Sequence, residues 1–271
     1  MSTDELRVTL VQADTIWHDP SANRERLARL LHEGKQASDL IVLPETFTTG
    51  FSNEAVATAE SMEGETVAWM RAQSVSLDAA ITGSVQVRVG GEVFNRLLWA
   101  MPDGTLLHYD KRHLFRMAGE HKRYAAGGDK LLVDFRGWRI CPLVCYDLRF
   151  PVYSRNCFDR SRERDLDYDL LLYVANWPAA RHEVWRTLVK ARAMENLCYV
   201  AGVNRTGTDG NGIVHTGGSA VVDWLGQLVV ECDDAPQLAR ATISLERLRE
   251  HRRRFPAHLD ADGFELERGS Q

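Results

Sequence analysis

The stretch DLIVLPE, residues 39–45, is short and continuously apolar, and it ends in a glutamate. A run of this length without polar alternation is typical of a strand that is covered on both faces. A helical pattern precedes it at residues 21–37, with Leu27, Leu30 and Leu31 on one face and Ser21 as a candidate cap. A covered strand that alternates with an amphipathic helix predicts an α/β protein.

The same alternation continues to the end of the chain. Further strands are predicted at residues 6–14, 79–89, 93–102, 105–111, 137–147, 169–177, 198–205, 217–223 and 226–232. Further helices are predicted at about residues 64–77, 182–196 and 244–255. No repeat and no linker-like segment interrupts the pattern. We therefore predict one domain over residues 1–271, with the residues beyond about 255 as a C-terminal extension.

Composition limits the classes of function. The net charge of −5 argues against nucleic acid or an anionic membrane as the main partner. The five cysteines are an odd number spread over a long chain, which is typical of a reducing compartment and not of a disulfide framework. The sequence contains no leader-like N-terminus and no apolar run near 18 residues, so we expect a cytoplasmic protein.

Three of the predicted strands end in a reactive side chain. DLIVLPE ends at Glu45, TLLHYDK ends at Lys111, and the strand in GWRICPLVCYD leads to Cys145. Each feature alone is common: a strand-end glutamate, a solvated lysine in a turn, or a cysteine packed as a small hydrophobe. Because ligands gather at the carboxyl ends of strands in open α/β sheets, the three together predict one pocket.

These three groups suffice for acyl transfer without a metal or cofactor. A thiol attacks a carbonyl as its thiolate, so Glu45 would accept the proton and return it to the departing amine. Lys111 would lower the pKa of the Cys145 thiol and stabilise the oxyanion. The backbone N–H of Tyr146, directly after the nucleophile, is a second oxyanion donor. Water activated by Glu45 would then hydrolyse the thioester.

Three motifs carry a resemblance to a known family. LPETFTTGF, YDKRHLF and VCYDLRFP follow one another in the order and approximate spacing of the motifs of the nitrilase superfamily of carbon–nitrogen hydrolases. The resemblance implies a Glu45–Lys111–Cys145 triad, a four-layer αββα sandwich and a homodimer formed through helical faces. It also implies that Glu120, in RMAGEHKRYAAG, orients Lys111. The loop-like, glycine-flanked context of Glu120 is equally consistent with a solvated carboxylate in a turn.

The lysine-to-glutamate segment HLFRMAGEHKRYAAG and the segment NWPAARHEVW resemble the omega-amidase branch of this superfamily. That branch hydrolyses the terminal amide of 2-oxoglutaramate or 2-oxosuccinamate, so the implied partner is a small-molecule amide. The distal carboxylate of such a substrate requires a cation, and Arg116, Arg149 and Arg181 are the candidates. Arg149 could equally pair with a structural acid. Trp177, at a strand end, is a candidate pocket wall or a core aromatic.

Several alternatives remain open. A nitrile or another small amide could be the substrate, and a catalytically silent binding protein could share the fold. A Cys–His hydrolase is conceivable because the chain has nine histidines, of which His215 lies in GIVHTGG.

A redox pair of Cys141 and Cys145 is excluded if the strand is regular, since residues four apart would lie about 13 Å from each other. The cysteines and histidines lack the paired spacing of a zinc site.

Overall fold

The computed structural model describes residues 4–34, 37–159, 161 and 166–266. Within these ranges the strands are, in chain order, β1 (Glu5–Gln12), β2 (Leu40–Val42), β3 (Ala80–Val89), β4 (Glu92–Ala100), β5 (Leu106–Asp110), β6 (Val133–Phe135), β7 (Trp138–Val144), β8 (Leu170–Ala175), β9 (Tyr199–Asn204), β10 (Thr206–Thr208), β11 (Val214–Thr216), β12 (Ala220–Val222), β13 (Leu228–Glu231) and β14 (Gln237–Ser244). The α-helices are α1 (Pro20–Glu33), α2 (Glu65–Leu77), α3 (His182–Glu195) and α4 (Leu245–Arg254). Residues 35–36 of the first predicted helix, and residues 267–271 of the predicted extension, lie outside the described ranges.

Two six-stranded sheets form the centre of the molecule. The spatial order is β14-β1-β2-β3-β4-β5 in the first sheet and β13-β12-β9-β8-β7-β6 in the second. Strands β1, β2 and β3 run parallel, as do β7, β8 and β9, and antiparallel strands complete both sheets. The separate pair β10 and β11 forms a short antiparallel hairpin.

The sheets pack face to face, with helices on the outside. A buried cluster between them contains apolar side chains from both sheets, among them Leu10, Val42, Trp99, Leu143 and Leu172. A second cluster contains Val11, Ile41 and Ile81 from the first sheet with Leu27 of α1 and Met70 of α2. On the other side, Trp185, Val189 and Ala193 bury one face of α3 against the second sheet. The order of layers is therefore helix, sheet, sheet, helix, which confirms the predicted αββα sandwich. This arrangement covers the apolar faces of both sheets.

The ends of individual elements differ from the prediction at a few points. Helix α1 begins with Pro20 at its first position and is capped by Asp19 rather than by Ser21, because the Asp19 side chain accepts a hydrogen bond from the N–H of Ala22. Strand β7 ends at Val144, one residue before the cysteine. Strand β14 was not predicted, and it pairs with β1 along all eight residues of that strand, from Glu5 to Gln12. No helix in the described ranges is both long and apolar enough to cross a membrane.

Strand directions bring the three predicted strand ends to one side of their sheets. β2 runs parallel to β3, β3 antiparallel to β4, and β4 antiparallel to β5, so β2 and β5 point the same way. Glu45 follows β2 and Lys111 follows β5, both in the first sheet. Cys145 follows β7 in the second sheet, which packs against the first. The chain therefore delivers these side chains to one region from two layers.

Candidate active site

The Glu45 carboxylate is buried and fully engaged by donors from both sheets. Its Oε1 accepts hydrogen bonds from Lys111 Nζ at 2.9 Å and from Asn95 Nδ2 at 2.8 Å. Its Oε2 accepts the backbone N–H of Asn176 at 2.8 Å, and the carboxylate also interacts with the Cys145 thiol. Burial alone would raise the pKa of Glu45, but the Lys111 charge and these hydrogen bonds outweigh it and lower the pKa. Glu45 is therefore held as a carboxylate beside a thiol.

Lys111 lies between two carboxylates. Besides Glu45, its Nζ donates to both oxygens of Glu120 at 3.0 Å, and all three side chains are at most 1% exposed. Burial opposes the charge of Lys111, but the two acids outweigh it and raise the pKa of the ammonium well above its usual value. On its remaining side, Nζ lies 5.4 Å from the centre of the Phe51 ring. The lysine is thus a fixed, permanently charged group.

Glu120 is buried, and it is not a solvated turn residue. It lies in a single 3-10 turn, Glu120–Lys122, where its Oε2 also accepts the backbone N–H of Phe115. Burial and the neighbouring Glu45 raise the pKa of Glu120 against the attraction of Lys111. The loop that carries Glu120 returns to the end of β5 at Gly127, where a Cβ atom would lie 2.0 Å from the carbonyl oxygen of Asp110. Only glycine permits this close approach.

Cys145 occupies a strained turn between a strand and a helical turn. Its φ is +44°, a left-handed conformation that is costly for a residue with a side chain. A 3-10 turn, Cys145–Arg149, begins at this residue, so the N–H groups of its first residues have no partner within the turn. Burial raises the pKa of the Cys145 thiol well above its usual value, and the adjacent Glu45 raises it further, against the opposing effect of Lys111. The resting pair is therefore a thiol beside a carboxylate.

Cys141 differs from Cys145 in its position, because it does not line the cavity. It is fully buried in β7 and belongs to the core between the sheets. Burial raises its pKa to about 12. None of the five cysteines forms a disulfide, so the pair in RICPLVCYD consists of one packed cysteine and one at the site.

A cavity of about 380 Å³ opens onto these groups. Glu45, Lys111, Cys145 and Asn176 form its polar floor. Its walls and mouth consist of aromatic, apolar and charged side chains: Phe51, Phe115, Met117, Ala118, Tyr146, Arg149, Trp177, Pro178, Ala180, Arg181, Asp209, Ile213 and His215. Its size suits a small ligand that reaches the sulfur at one end.

The three candidate arginines have different positions. Arg149 and Arg181 line the cavity, and their guanidinium groups lie over the rings of Trp177 at 5.2 Å and Phe115 at 5.3 Å. Within the described ranges neither guanidinium has an ion pair or a hydrogen bond. Arg116 is exposed and is not among the lining residues. The geometry therefore favours Arg149 and Arg181, and not Arg116, as cations for a ligand.

Tyr146, predicted as an oxyanion donor, and Trp177, a candidate wall residue, both line the cavity. Tyr146 lines it directly after Cys145, and its ring contacts Phe115 at 5.0 Å between centres. Trp177 is a wall and a packed aromatic at once: it is only 4% exposed, its Nε1 donates to the carbonyl of Arg181, and its ring lies 5.7 Å from that of Trp185. The Trp177 side chain therefore combines a position in the cavity lining with packing against another aromatic ring.

Sequence reasoning missed two asparagines that hold the carboxylates. Asn95 Nδ2 contacts Glu45 Oε1 at 2.8 Å and Glu120 Oε1 at 3.4 Å, and the Asn95 carbonyl accepts the N–H of Lys111. Asn176 donates its side-chain amide to the Glu45 carbonyl and to Thr46 Oγ1. Asn176 directly follows β8, so the strand-end rule that identified Glu45 and Cys145 could have found it. Asn95 lies within β4, where its sequence context has no such signal.

His215 is the histidine that the sequence singled out, and it is a buried residue of the cavity lining. Burial, aided by the charge of Arg205, lowers the pKa of His215 to about 4. Its imidazole is therefore neutral at pH 7. No group of three metal-binding side chains was found among the described residues.

The family model for carbon–nitrogen hydrolases matches residues 7–253. The chain belongs to the carbon–nitrogen hydrolase family. This hydrolase is 51% identical to "Omega-amidase YafV" of Yersinia enterocolitica, over 98% of this chain and 100% of the relative. It is 29% identical to "2-oxoglutaramate amidase" of Bacillus subtilis, over 93% of this chain and 96% of that protein.

The crystal structure of XC1258 from Xanthomonas campestris has the same fold as this carbon–nitrogen hydrolase. The TM-score is 0.95 with 59% sequence identity, and the match covers 97% of this chain and 99% of the other. That protein is described as a CN-hydrolase superfamily member with an arsenic adduct in its active site. The predicted superfamily and its fold are confirmed, and the chain is an enzyme that hydrolyses carbon–nitrogen bonds.

Proposed function

We propose that this hydrolase is an omega-amidase. It converts 2-oxoglutaramate or 2-oxosuccinamate and water to the corresponding 2-oxo dicarboxylate and ammonia. The observation that carries the proposal is the cavity itself, which is lined by Glu45, Lys111 and Cys145 and by the guanidinium groups of Arg149 and Arg181, neither of which has an ion pair among the described residues. The printed names of the two relatives agree with this substrate class.

The ends of such a substrate differ in charge, and the cavity lining supplies cations besides the group at Cys145. The distal carboxylate would bind Arg149 and Arg181, whose planar groups are backed by Trp177 and Phe115. The carboxamide would then lie over Cys145. A small amide without this carboxylate would lose the charge-assisted hydrogen bonds, which contribute about 1.5–3 kcal/mol each.

We propose that Glu45, Lys111 and Cys145 perform the reaction. As Cys145 Sγ attacks the amide carbon, its proton passes to Glu45. The lowered pKa of Glu45 keeps this side chain ionised, so it is able to accept the proton. The negative oxygen that forms is stabilised by Lys111 and by the backbone N–H of Tyr146. Glu45 then protonates the leaving nitrogen, the C–N bond of the tetrahedral intermediate breaks, and ammonia departs to leave the thioester on Cys145.

The second half of the reaction uses the same groups. Glu45 accepts a proton from water, the hydroxyl adds to the thioester carbon, and the Cys145 sulfur leaves and regains the proton. Glu120 and Asn95 act by holding Lys111 and Glu45 in place. The reaction does not require a metal or another cofactor.

The test is a substrate panel scored by released ammonia. We expect kcat/KM for 2-oxoglutaramate to exceed that for butyramide, which lacks the distal carboxylate, by at least about 100-fold. Propionitrile serves as the nitrile control. Preferential turnover of the nitrile would favour the nitrilase alternative, and no turnover of any compound by the folded protein would favour a silent binding protein.

We further propose that the enzyme is a cytoplasmic homodimer. Four exposed apolar side chains on α3 and the β12–β13 hairpin support a dimer: Met194, Leu225, Leu228 and Val229. Met194 packs beside the Gly226 turn, so α3 and this hairpin expose apolar side chains in one region. Light scattering on the wild type and on a Met194→Glu, Leu225→Glu variant tests this. We expect twice the monomer mass for the first and the monomer mass for the second.

A further inference from the structure

Asp147, two residues after Cys145, is fully buried and is hydrogen-bonded to three residues of two chain segments. Its Oδ2 accepts the Tyr109 hydroxyl at 2.8 Å and the backbone N–H of Val144 at 3.0 Å. Its Oδ1 accepts the backbone N–H of His113 at 3.0 Å and lies 2.7 Å from Nδ1 of the same ring. All four of these donors flank a residue of the proposed triad.

The positions of the donors are specific. Tyr109 and His113 lie two residues before and two residues after Lys111, and Val144 directly precedes Cys145. Lys111 follows a strand of the first sheet, whereas Cys145 follows a strand of the second. The Asp147 carboxylate therefore bridges the segment that carries the lysine and the turn that carries the sulfur.

Further contacts support the same bridge. The His113 ring stacks on Phe150 with 3.8 Å between ring centres and 9° between planes. The Tyr109 hydroxyl also accepts the backbone N–H of Arg112 at 3.1 Å, next to Lys111. Burial, with the charge of Asp147, raises the pKa of Tyr109 well above its usual value, so its hydroxyl stays protonated and able to donate. The lysine segment is thus bound to the nucleophile turn on both of its sides.

We propose that Asp147 is a positioning residue that fixes the distance between Lys111 and Cys145. The proposal rests on the catalytic roles given above for those two residues. Asp147 does not line the cavity and is not expected to contact substrate. It acts through the turn at Cys145, whose left-handed φ needs support from the surrounding structure. A misplacement of about 1 Å at a reacting group can cost about 100-fold in rate.

The test compares Asp147→Asn with Asp169→Asn. Both carboxylates are buried and bind several donors, but Asp169 binds the N–H of Arg139 and the guanidinium of Arg252, away from the site. We expect Asp147→Asn to lower kcat for 2-oxoglutaramate about 10- to 100-fold with little change in KM. We expect Asp169→Asn to lower Tm and to leave kcat within about twofold at a temperature where the protein is folded.

Tyr109→Phe provides a second and milder variant. Loss of one hydrogen bond to Asp147 should lower kcat about threefold or more. Because both changes act through the same contact, the double variant with Asp147→Asn should be no slower than Asp147→Asn alone. If Asp147→Asn does not fold, Tyr109→Phe alone decides: unchanged kcat in the folded variant overturns the proposal.

The outcomes separate this proposal from the proposed function. A wild type that releases no ammonia from 2-oxoglutaramate contradicts the omega-amidase assignment. In that case Asp147→Asn and Asp169→Asn are compared on whichever amide of the panel the wild type turns over. If the wild type turns over none, the two variants are compared by the rate at which iodoacetamide alkylates Cys145. An active wild type with an equally active, folded Asp147→Asn variant overturns only the positioning role. An equal loss of kcat in Asp169→Asn also overturns it.

Discussion

The backbone N–H of Asn176 donates to Glu45 Oε2 at 2.8 Å, although the two residues are 131 positions apart and follow strands of different sheets. The Asn176 side chain also donates to the Glu45 carbonyl at 2.7 Å. One oxygen of the carboxylate is thus fixed by the second sheet, while the other is bound by Lys111 from the first.

Cys145→Ala should abolish turnover, whereas Cys141→Ala should leave kcat within about twofold, because only Cys145 is at the cavity. Loss of a nucleophile typically lowers kcat about 10⁶-fold. Ammonia release by both purified variants measures this, with circular dichroism as the control for folding. Equal damage by the two changes would disprove the assignment of a single working thiol.

Lys111→Met should abolish turnover, whereas His215→Gln should be much milder. Lys111 is the cation shared by Glu45 and Glu120, and its removal leaves two buried carboxylates without a counter-ion. We also expect Lys111→Met to be destabilised by about 3–5 kcal/mol. Kinetics and urea unfolding measure the two effects. A Cys–His mechanism predicts the reverse order, with the histidine variant inactive and the lysine variant active.

The pH dependence should differ from that of a thiolate–imidazolium pair. Because the pKa of Glu45 is lowered, its active carboxylate form is lost only when the pH falls through a value below that of an ordinary glutamate. Because the pKa of Cys145 is raised, alkylation by iodoacetamide should increase only above the ordinary cysteine value of about 8.5. Alkylation of a Cys141→Ala background over a pH series measures this. A reactive plateau at neutral pH would contradict it.

Arg149→Gln and Arg181→Gln should each raise KM for 2-oxoglutaramate about 10- to 100-fold, with a smaller effect on kcat. Arg116→Gln is the matched control, because that arginine is exposed outside the cavity lining and should leave KM within about twofold. Turnover of butyramide, which has no carboxylate, should not respond to either cavity variant. A KM increase limited to Arg116→Gln would assign the carboxylate site elsewhere.

Strands were predictable from the sequence where a short apolar run ends at a polar residue. β2, β5 and β7 each lead into a reactive group, and their order in the sheets brings those groups together as the strand-end rule expects. β14 escaped prediction because QLARATIS contains two alanines and an arginine, which are weak signals for a strand. Its strand conformation depends on pairing with β1, more than 200 residues away in the chain.

The irregular parts of the site could not be derived from periodicity. The burial of Glu120 depends on a loop with two short 3-10 turns, for which the sequence gives only a glycine-rich context. The left-handed φ of Cys145 and the bonds of Asp147 likewise arise from contacts between distant segments. Family resemblance supplied the role of Glu120, and the physical reading alone left it open.

Glu45 and Lys111 come from one sheet and Cys145 from the other, so the reactive constellation exists only after the two layers have docked. A refolding intermediate with both sheets hydrogen-bonded but not yet packed would have much of the native circular dichroism and no activity. Recovery of ammonia release after dilution from denaturant should therefore lag behind recovery of secondary structure. Recovery of activity in this enzyme therefore measures the docking of the two sheets and not the formation of either sheet alone.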